Sequence, residues 1–270
     1  RWTWYDPLSI TWKHIEKAEP RVVGPKEGDA PGASLYVPFQ LKPGEEKRVR
    51  LMISWYVPNS TLRMAGVHAH AVDECDPGTE CCESPYHQPW YSTRFGSIQE
   101  VADYWRVHYD DLKQRTNAFT EAFYHTTLPD AVTEAVAANL TILKSPTVLR
   151  QPDGKLWSWE GCNDNSGCCA GSCTHVWNYA QAIPHLFPSL ERTLRETEFF
   201  INQNEEGHQS FRAALPIRDV GHAFHAAADG QLGGIMKIYR DWRISGDDQW
   251  MKKLYPYVQN SLDFCIHVWD

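Results

Sequence analysis

The chain has 270 residues, 42% hydrophobic and 22% charged, with 12 Trp, 12 Tyr and 10 Phe. That length is enough for one large domain or two modest ones, and a mean hydropathy of −0.50 describes a chain that folds in water. A net charge of −8 with no basic block makes nucleic acid a poor partner, and no apolar run approaches the ~20 residues that a membrane span needs.

Residues 1–33 carry many Pro and Gly without sustained periodicity, and Arg1 stands where a Met would open a chain. With no apolar leader either, this stretch reads as the ragged end of something larger. The chain is expected to be soluble, with the cytoplasm slightly favoured over secretion. From Ser34 to Leu41 the pattern predicts a strand, Pro43-Gly44-Glu45-Glu46 a turn, and Lys47 to Val57 a second strand. In the second strand Val49, Leu51, Ile53 and Trp55 alternate with Arg48, Arg50, Met52 and Ser54, the mark of an antiparallel sheet packed on one face.

A loop rich in His, Cys, Pro and Glu separates Gly66 from Tyr91 and reads as a surface excursion pinned by its cysteines, ahead of a metal site. Ser97-Ile98-Gln99-Glu100 is a capping box that opens a helix carrying Val101, Ala102, Trp105, Tyr109 and Leu112, a linking segment over 97–127. Leu128-Pro129-Asp130 starts another, with Val132, Val136, Leu140 and Leu143 on one face, ending at Lys144-Ser145-Pro146. Further helices are predicted from His175 to Phe187, broken by Pro184, and from Pro188 to about Asn204. Two more follow: Leu232 to Ile244, carrying Ile235, Met236 and Tyr239, and a last pair capped by Asp247 or Asp248 and interrupted at Pro256, with Leu262 and Ile266 buried.

The cysteines fall in two clusters, Cys75, Cys81 and Cys82, then Cys162, Cys168, Cys169 and Cys173, with Cys265 apart. His68, His70, His87 and His175 lie near, yet neither cluster has the paired C-x2-C spacing of a structural zinc site. Reduced thiols in tight loops are favoured, ahead of disulfides and zinc. No cofactor or metal is expected.

One stretch concentrates the chemistry. Trp157-Ser158-Trp159-Glu160-Gly161-Cys162 leads through a turn of small residues to Ser172-Cys173-Thr174-His175-Val176-Trp177-Asn178-Tyr179. A carboxylate among indoles suits a sugar: aromatic faces stack on pyranose C–H surfaces, polar groups read hydroxyls, and the carboxylate works at the anomeric carbon. The same pattern also fits a core segment that ends in a solvated acid. Trp159 and Trp177 are core residues more readily than platforms, and His175 is balanced between a hydroxyl contact and a satisfied core histidine.

The run from Glu160 to about Phe199, with Leu186-Phe187-Pro188-Ser189-Leu190-Glu191-Arg192, resembles the non-lysosomal glucosylceramidase (bile-acid β-glucosidase) family of glycoside hydrolases, and its prokaryotic members most. Trp90-Tyr91-Ser92-Thr93-Arg94-Phe95-Gly96 and Leu140-Thr141-Ile142-Leu143-Lys144-Ser145-Pro146-Thr147 are similar too. The resemblance implies a multidomain α and β protein. Residues 1–96 would be the C-terminal part of an antiparallel β-sandwich, and 128–270 the first half of an (α/α)6 helical toroid. It implies a retaining β-glycosidase acting on a β-glycoside or glycolipid, with Glu160 as nucleophile. Trp159, Thr174, His175, Trp177, Arg218 and Asp219 are the candidate substrate contacts, Asp219 being balanced between that role, direct or through a neighbouring residue, and helix-cap duty. His175 stands where the family has Asp, and Arg218 where eukaryotic members have His. The family's acid/base is an Asp in a motif resembling Thr-Tyr-Asp, which does not occur after Glu160. The remainder of the same polypeptide, or a companion chain, would have to carry it. A non-catalytic carbohydrate-binding or scaffold fragment and a Cys/His metal-binding protein remain as alternatives.

Overall fold

The structure, a computed structural model, describes residues 6–19, 24, 35–65, 86–163 and 165–268. The chain divides into two units, Arg1–Met52 and Ile53–Asp270. In the first, helix α1 spans Pro7–Glu16, and Pro43-Gly44 makes the expected turn, Glu45 N donating to the Lys42 carbonyl (2.9 Å). The strand pair predicted around that turn does not form a ladder over 35–59. Leu51, Ile53 and Trp55, read as a packed face, are exposed. A two-stranded hairpin is marginal without a third strand or a covering layer, and no sheet among the described residues supplies one.

Helices dominate the regular structure of the second unit. Helix α2 (Ile98–Tyr124) begins as predicted: Ser97 accepts from Glu100 N (3.2 Å), while the Glu100 carboxylate reaches back to Gly96 N (2.8 Å), one residue beyond the usual capping box. None of its residues is buried. Helix α3 (Asp130–Leu140) follows Pro129, continues as a 3-10 turn over Thr141–Lys144, and stops at Ser145-Pro146. Thr133 is its buried residue and Val132 is exposed, so the inward face is turned slightly from the predicted one.

Two small antiparallel sheets come next. Strand β1 (Val148–Arg150) pairs with β2 (Leu156–Ser158), and β3 (Gly161–Cys162) with β4 (Gly167–Cys168), so that Gly161 faces Cys168. Around them Trp157, Trp159, Ala170, Ala213 and Leu215 form one core cluster.

Helix α4 (Thr174–Trp177) is separated from α5 (Ala182–Leu186) at Asn178–Gln181, so the break precedes Pro184. Pro184 sits in the first turn of α5, where its missing N–H has no carbonyl to satisfy. Helix α6 (Pro188–Glu196) runs on as a π-turn over Thr197–Ile201. Helix α7 (Ala228–Ser245) buries Gly234, Lys237, Ile238 and Asp241, whereas Met236 and Tyr239 are exposed. Helix α8 (Asp248–Val268) passes through Pro256 as one helix, and Asp247 caps it by accepting from Trp250 N (3.0 Å). Its buried face is Trp250, Leu254, Ser261 and Cys265, and the predicted Leu262 and Ile266 are exposed. Pro256 lies on the exposed side of α8, where the carbonyl that proline leaves without a donor faces solvent and not the core.

Successive helices α5, α6, α7 and α8 pack on one another, but no closed barrel forms among the described residues. A buried charge network joins α6 to α7. Arg195 bonds Glu191 (3.4 Å) and Glu198, Lys237 reaches Glu198 (3.2 Å), and Arg240 bonds both Glu191 and Asp241 at 2.8 Å. Arg240 also donates to Gln181 (3.1 Å), tying the network to the segment before α5. No helix among the described residues is long and apolar enough to cross a membrane.

Candidate active site

Glu160 occupies the step between the two sheets. Trp159 N donates to Thr147 O (2.8 Å), and Glu160 N donates to Cys168 O (3.0 Å), so both ladders hold the backbone of the carboxylate. The loop after β4 is anchored as firmly: Ser172 N donates to Ser158 O (2.7 Å), the Ser172 hydroxyl accepts from Ser158 N (2.9 Å), and Ala213 N donates to Gly171 O (2.8 Å). Gly171 has φ +92°, and a Cβ there would lie 2.7 Å from the Ala213 carbonyl oxygen, so only glycine permits this approach.

The Glu160 side chain is half-buried and lines a cavity of about 590 Å³ bounded by Val136 and Ile142 on one side and by Val176 to Leu186 on the other. Among the described residues, Glu160 is the only acid lining it. The rest of the wall is chiefly apolar, with Asn139, Tyr179, Gln181 and His185 as polar members. A low-dielectric wall strengthens the interaction of a carboxylate with any positive charge that forms beside it.

The flanking tryptophans are structural. Trp157 is fully buried and donates to Ala213 O (3.2 Å), Trp159 packs on it edge-to-face (5.1 Å, 86°), and Trp177 donates to Trp159 O (3.2 Å). Trp177 nevertheless reaches the cavity wall. Thr174 is buried behind it, its hydroxyl against Gly230, where a Cβ would come within 2.2 Å. His175 is exposed and bonds the Asp229 carboxylate, which also accepts from Gly230 N (2.9 Å) in the first turn of α7. Asp229 thus joins the first turn of α7 to the histidine. Arg218 donates to Pro216 O (3.1 Å), and its guanidinium is pushed below its ordinary pKa by burial and then by Arg63. Asp219 is exposed, and neither it nor Arg218 lines the cavity. Glu160 and Trp177 are thus brought together, His175 is drawn toward Asp229, and Arg218 and Asp219 belong to the irregular 216–227 segment.

Two members of the second cysteine cluster are neighbours of Glu160. The Cys168 and Cys169 Sγ atoms are 3.5 Å apart, and with a Glu160 oxygen they lie within 4.8 Å of one another. The bond from Cys168, then burial and the Glu160 charge, push the Cys169 thiol up to about 11, against an opposing pull from Arg212. Cys173 is raised as well, mainly by burial. These thiols and Cys162 and Cys265 are free. The first cluster, Cys75, Cys81 and Cys82 with His68 and His70, lies outside the described residues.

No curated protein matches the chain. Residues 9–112, all N-terminal to Glu160, match the family model described as beta-glucosidase 2, glycosyl-hydrolase family 116 N-term, which supports that family and a glycoside hydrolase at family level.

Proposed function

We propose that this chain carries the nucleophile of a retaining β-glycosidase that hydrolyses β-linked glucosides or related sugars, with Glu160 as that nucleophile. The observation that carries the reading is the position of Glu160: a half-buried carboxylate, backbone-anchored by two sheets, and the only acid on the wall of a largely apolar cavity among the described residues. The family match over 9–112 supports the reaction class. In the reaction the Glu160 carboxylate attacks the anomeric carbon, the glycosidic C–O bond breaks, and a glycosyl ester forms; water then cleaves the ester. The leaving oxygen takes a proton from a second carboxyl, which a retaining geometry places about 5–5.5 Å from the first. That acid is assigned to the polypeptide beyond these residues or to a companion chain. Trp159 and Trp177 hold the carboxylate in place, and His175 and Thr174 stand at the α4 end of the site. Arg218 and Asp219 contact substrate only if the 216–227 segment closes over the cavity.

Chemical rescue tests this. With an activated aryl β-glucoside, Glu160→Ala should lose hydrolysis, and added azide should restore turnover with an α-glycosyl azide as product. A β-glycosyl azide, or undiminished hydrolysis by Glu160→Ala, would overturn the assignment.

A further inference from the structure

We propose that Glu160, Cys168 and Cys169 form a binding site for one thiophilic divalent cation of the zinc class. Consecutive side chains in extended backbone point to opposite faces, so neighbouring cysteines ordinarily cannot share a ligand. Here Cys169 has φ +48°, a left-handed conformation that few non-glycine residues adopt. The turn swings its thiol round to Cys168, leaving the sulfurs 3.5 Å apart. Two thiolates bound at ~2.3 Å to one tetrahedral zinc stand about 3.8 Å apart, so the pair is close to the required separation before any ion arrives.

The third ligand is held by the same backbone. Gly161 pairs with Cys168, and Glu160 N donates to Cys168 O, which keeps the carboxylate level with the thiols and within 4.8 Å of them. A carboxylate oxygen and two sulfurs make three ligands, and the exposure of Cys168 leaves the fourth position open to water. That is the open coordination of an exchangeable or reactive zinc, not a closed structural site. Binding would release both thiol protons to solvent. Three anionic ligands would then face one dication, with the Arg212 guanidinium near enough to act on the Cys169 thiol and offset the remaining charge.

The inference does not depend on the glycosidase reading, although the two share Glu160. A cation held there occupies the carboxylate and should slow its attack on a sugar.

The test is a titration of the reduced full chain with cobalt(II), followed by zinc displacement. A thiolate-to-cobalt charge-transfer band should appear, vanish in the Cys168→Ser/Cys169→Ser variant, and persist in Cys162→Ser. Glu160→Gln should weaken binding at least as much as loss of an outer-sphere partner does, about 10–100-fold. Should the double variant fail to fold, alkylation of the unmodified chain decides: zinc should protect Cys168 and Cys169 from iodoacetamide, as read by peptide mass spectrometry. A band that survives the double variant, no band at all, or equal alkylation with and without zinc would overturn the proposal. A glycosyl label on Glu160 without metal binding removes this inference alone, and metal binding with no such label leaves it standing.

Discussion

Replacing Gly167 by alanine should distort the site from behind. A Cβ on Gly167 would lie 2.2, 2.4 and 2.6 Å from the Cδ2, Cε3 and Cε2 atoms of Trp159, far inside contact distance. The indole has little room to retreat. It is 7% exposed, its ring abuts Trp157, and its carbonyl accepts the Trp177 N–H. Strand β4 must therefore move away from β3, stretching the bond from Glu160 N to Cys168 O. Overpacking of this kind costs about 1–3 kcal/mol. For a chain of this size that is roughly 2–12 °C in Tm. The control sits across the same ladder: a Cβ on Gly161 meets nothing within 4 Å, and the residue is not left-handed. Gly161→Ala should be neutral or stabilising by about 0.4–1 kcal/mol through the unfolded chain. Denaturant unfolding followed by tryptophan fluorescence compares the two directly. Equal stability of Gly167→Ala and Gly161→Ala would refute the packing argument.

Other consequences can be measured in the same way. Ser97→Ala removes the cap of α2 and should cost about 1 kcal/mol, detected as a lower urea midpoint with unchanged slope. Arg195 is fully buried between Glu191 and Glu198, so Arg195→Met should destabilise by about 3–5 kcal/mol by stranding those carboxylates, and retention of wild-type stability would contradict the network. Burial, then the charge of Arg195, brings the Lys237 ammonium from 10.5 to about 8 despite Glu198 and Glu191. Between those values the unfolded chain holds a proton that the folded chain lacks, so Lys237 contributes stability that rises with pH from about 8 to 10.5. The difference in unfolding free energy between wild type and Lys237→Met should carry that rise, and a flat difference would count against it.

Local chemistry was legible in the sequence, and non-local partnership was not. The Ser97 cap and the stop at Ser145-Pro146 need only a few neighbouring residues, and both stand where the pattern places them. The strands predicted over 34–41 and 47–57 depend on a covering layer, which alternation alone does not supply. On α8 the inward residues include the polar Ser261 beside Leu254 and Cys265, while the apolar Leu262 and Ile266 face out, so hydrophobicity alone does not mark the buried face. Lys237 and Asp241 look like solvent residues, yet partners on α6 and Arg240 take them into the interior. At the site, Glu160 stands out through its tryptophans, whose buried rings form its scaffold. Cys168 came to it through a strand pairing and Cys169 through a left-handed turn, neither of which cysteine spacing announces.

The bond that forms on Glu160 can be trapped directly. Incubation with 2,4-dinitrophenyl 2-deoxy-2-fluoro-β-glucoside, whose leaving group needs no proton, should trap the glycosyl ester, and peptide mass spectrometry locates it. Label should fall on Glu160 and be absent from Glu160→Gln. Label on another residue, or undiminished labelling of Glu160→Gln, would contradict the assignment.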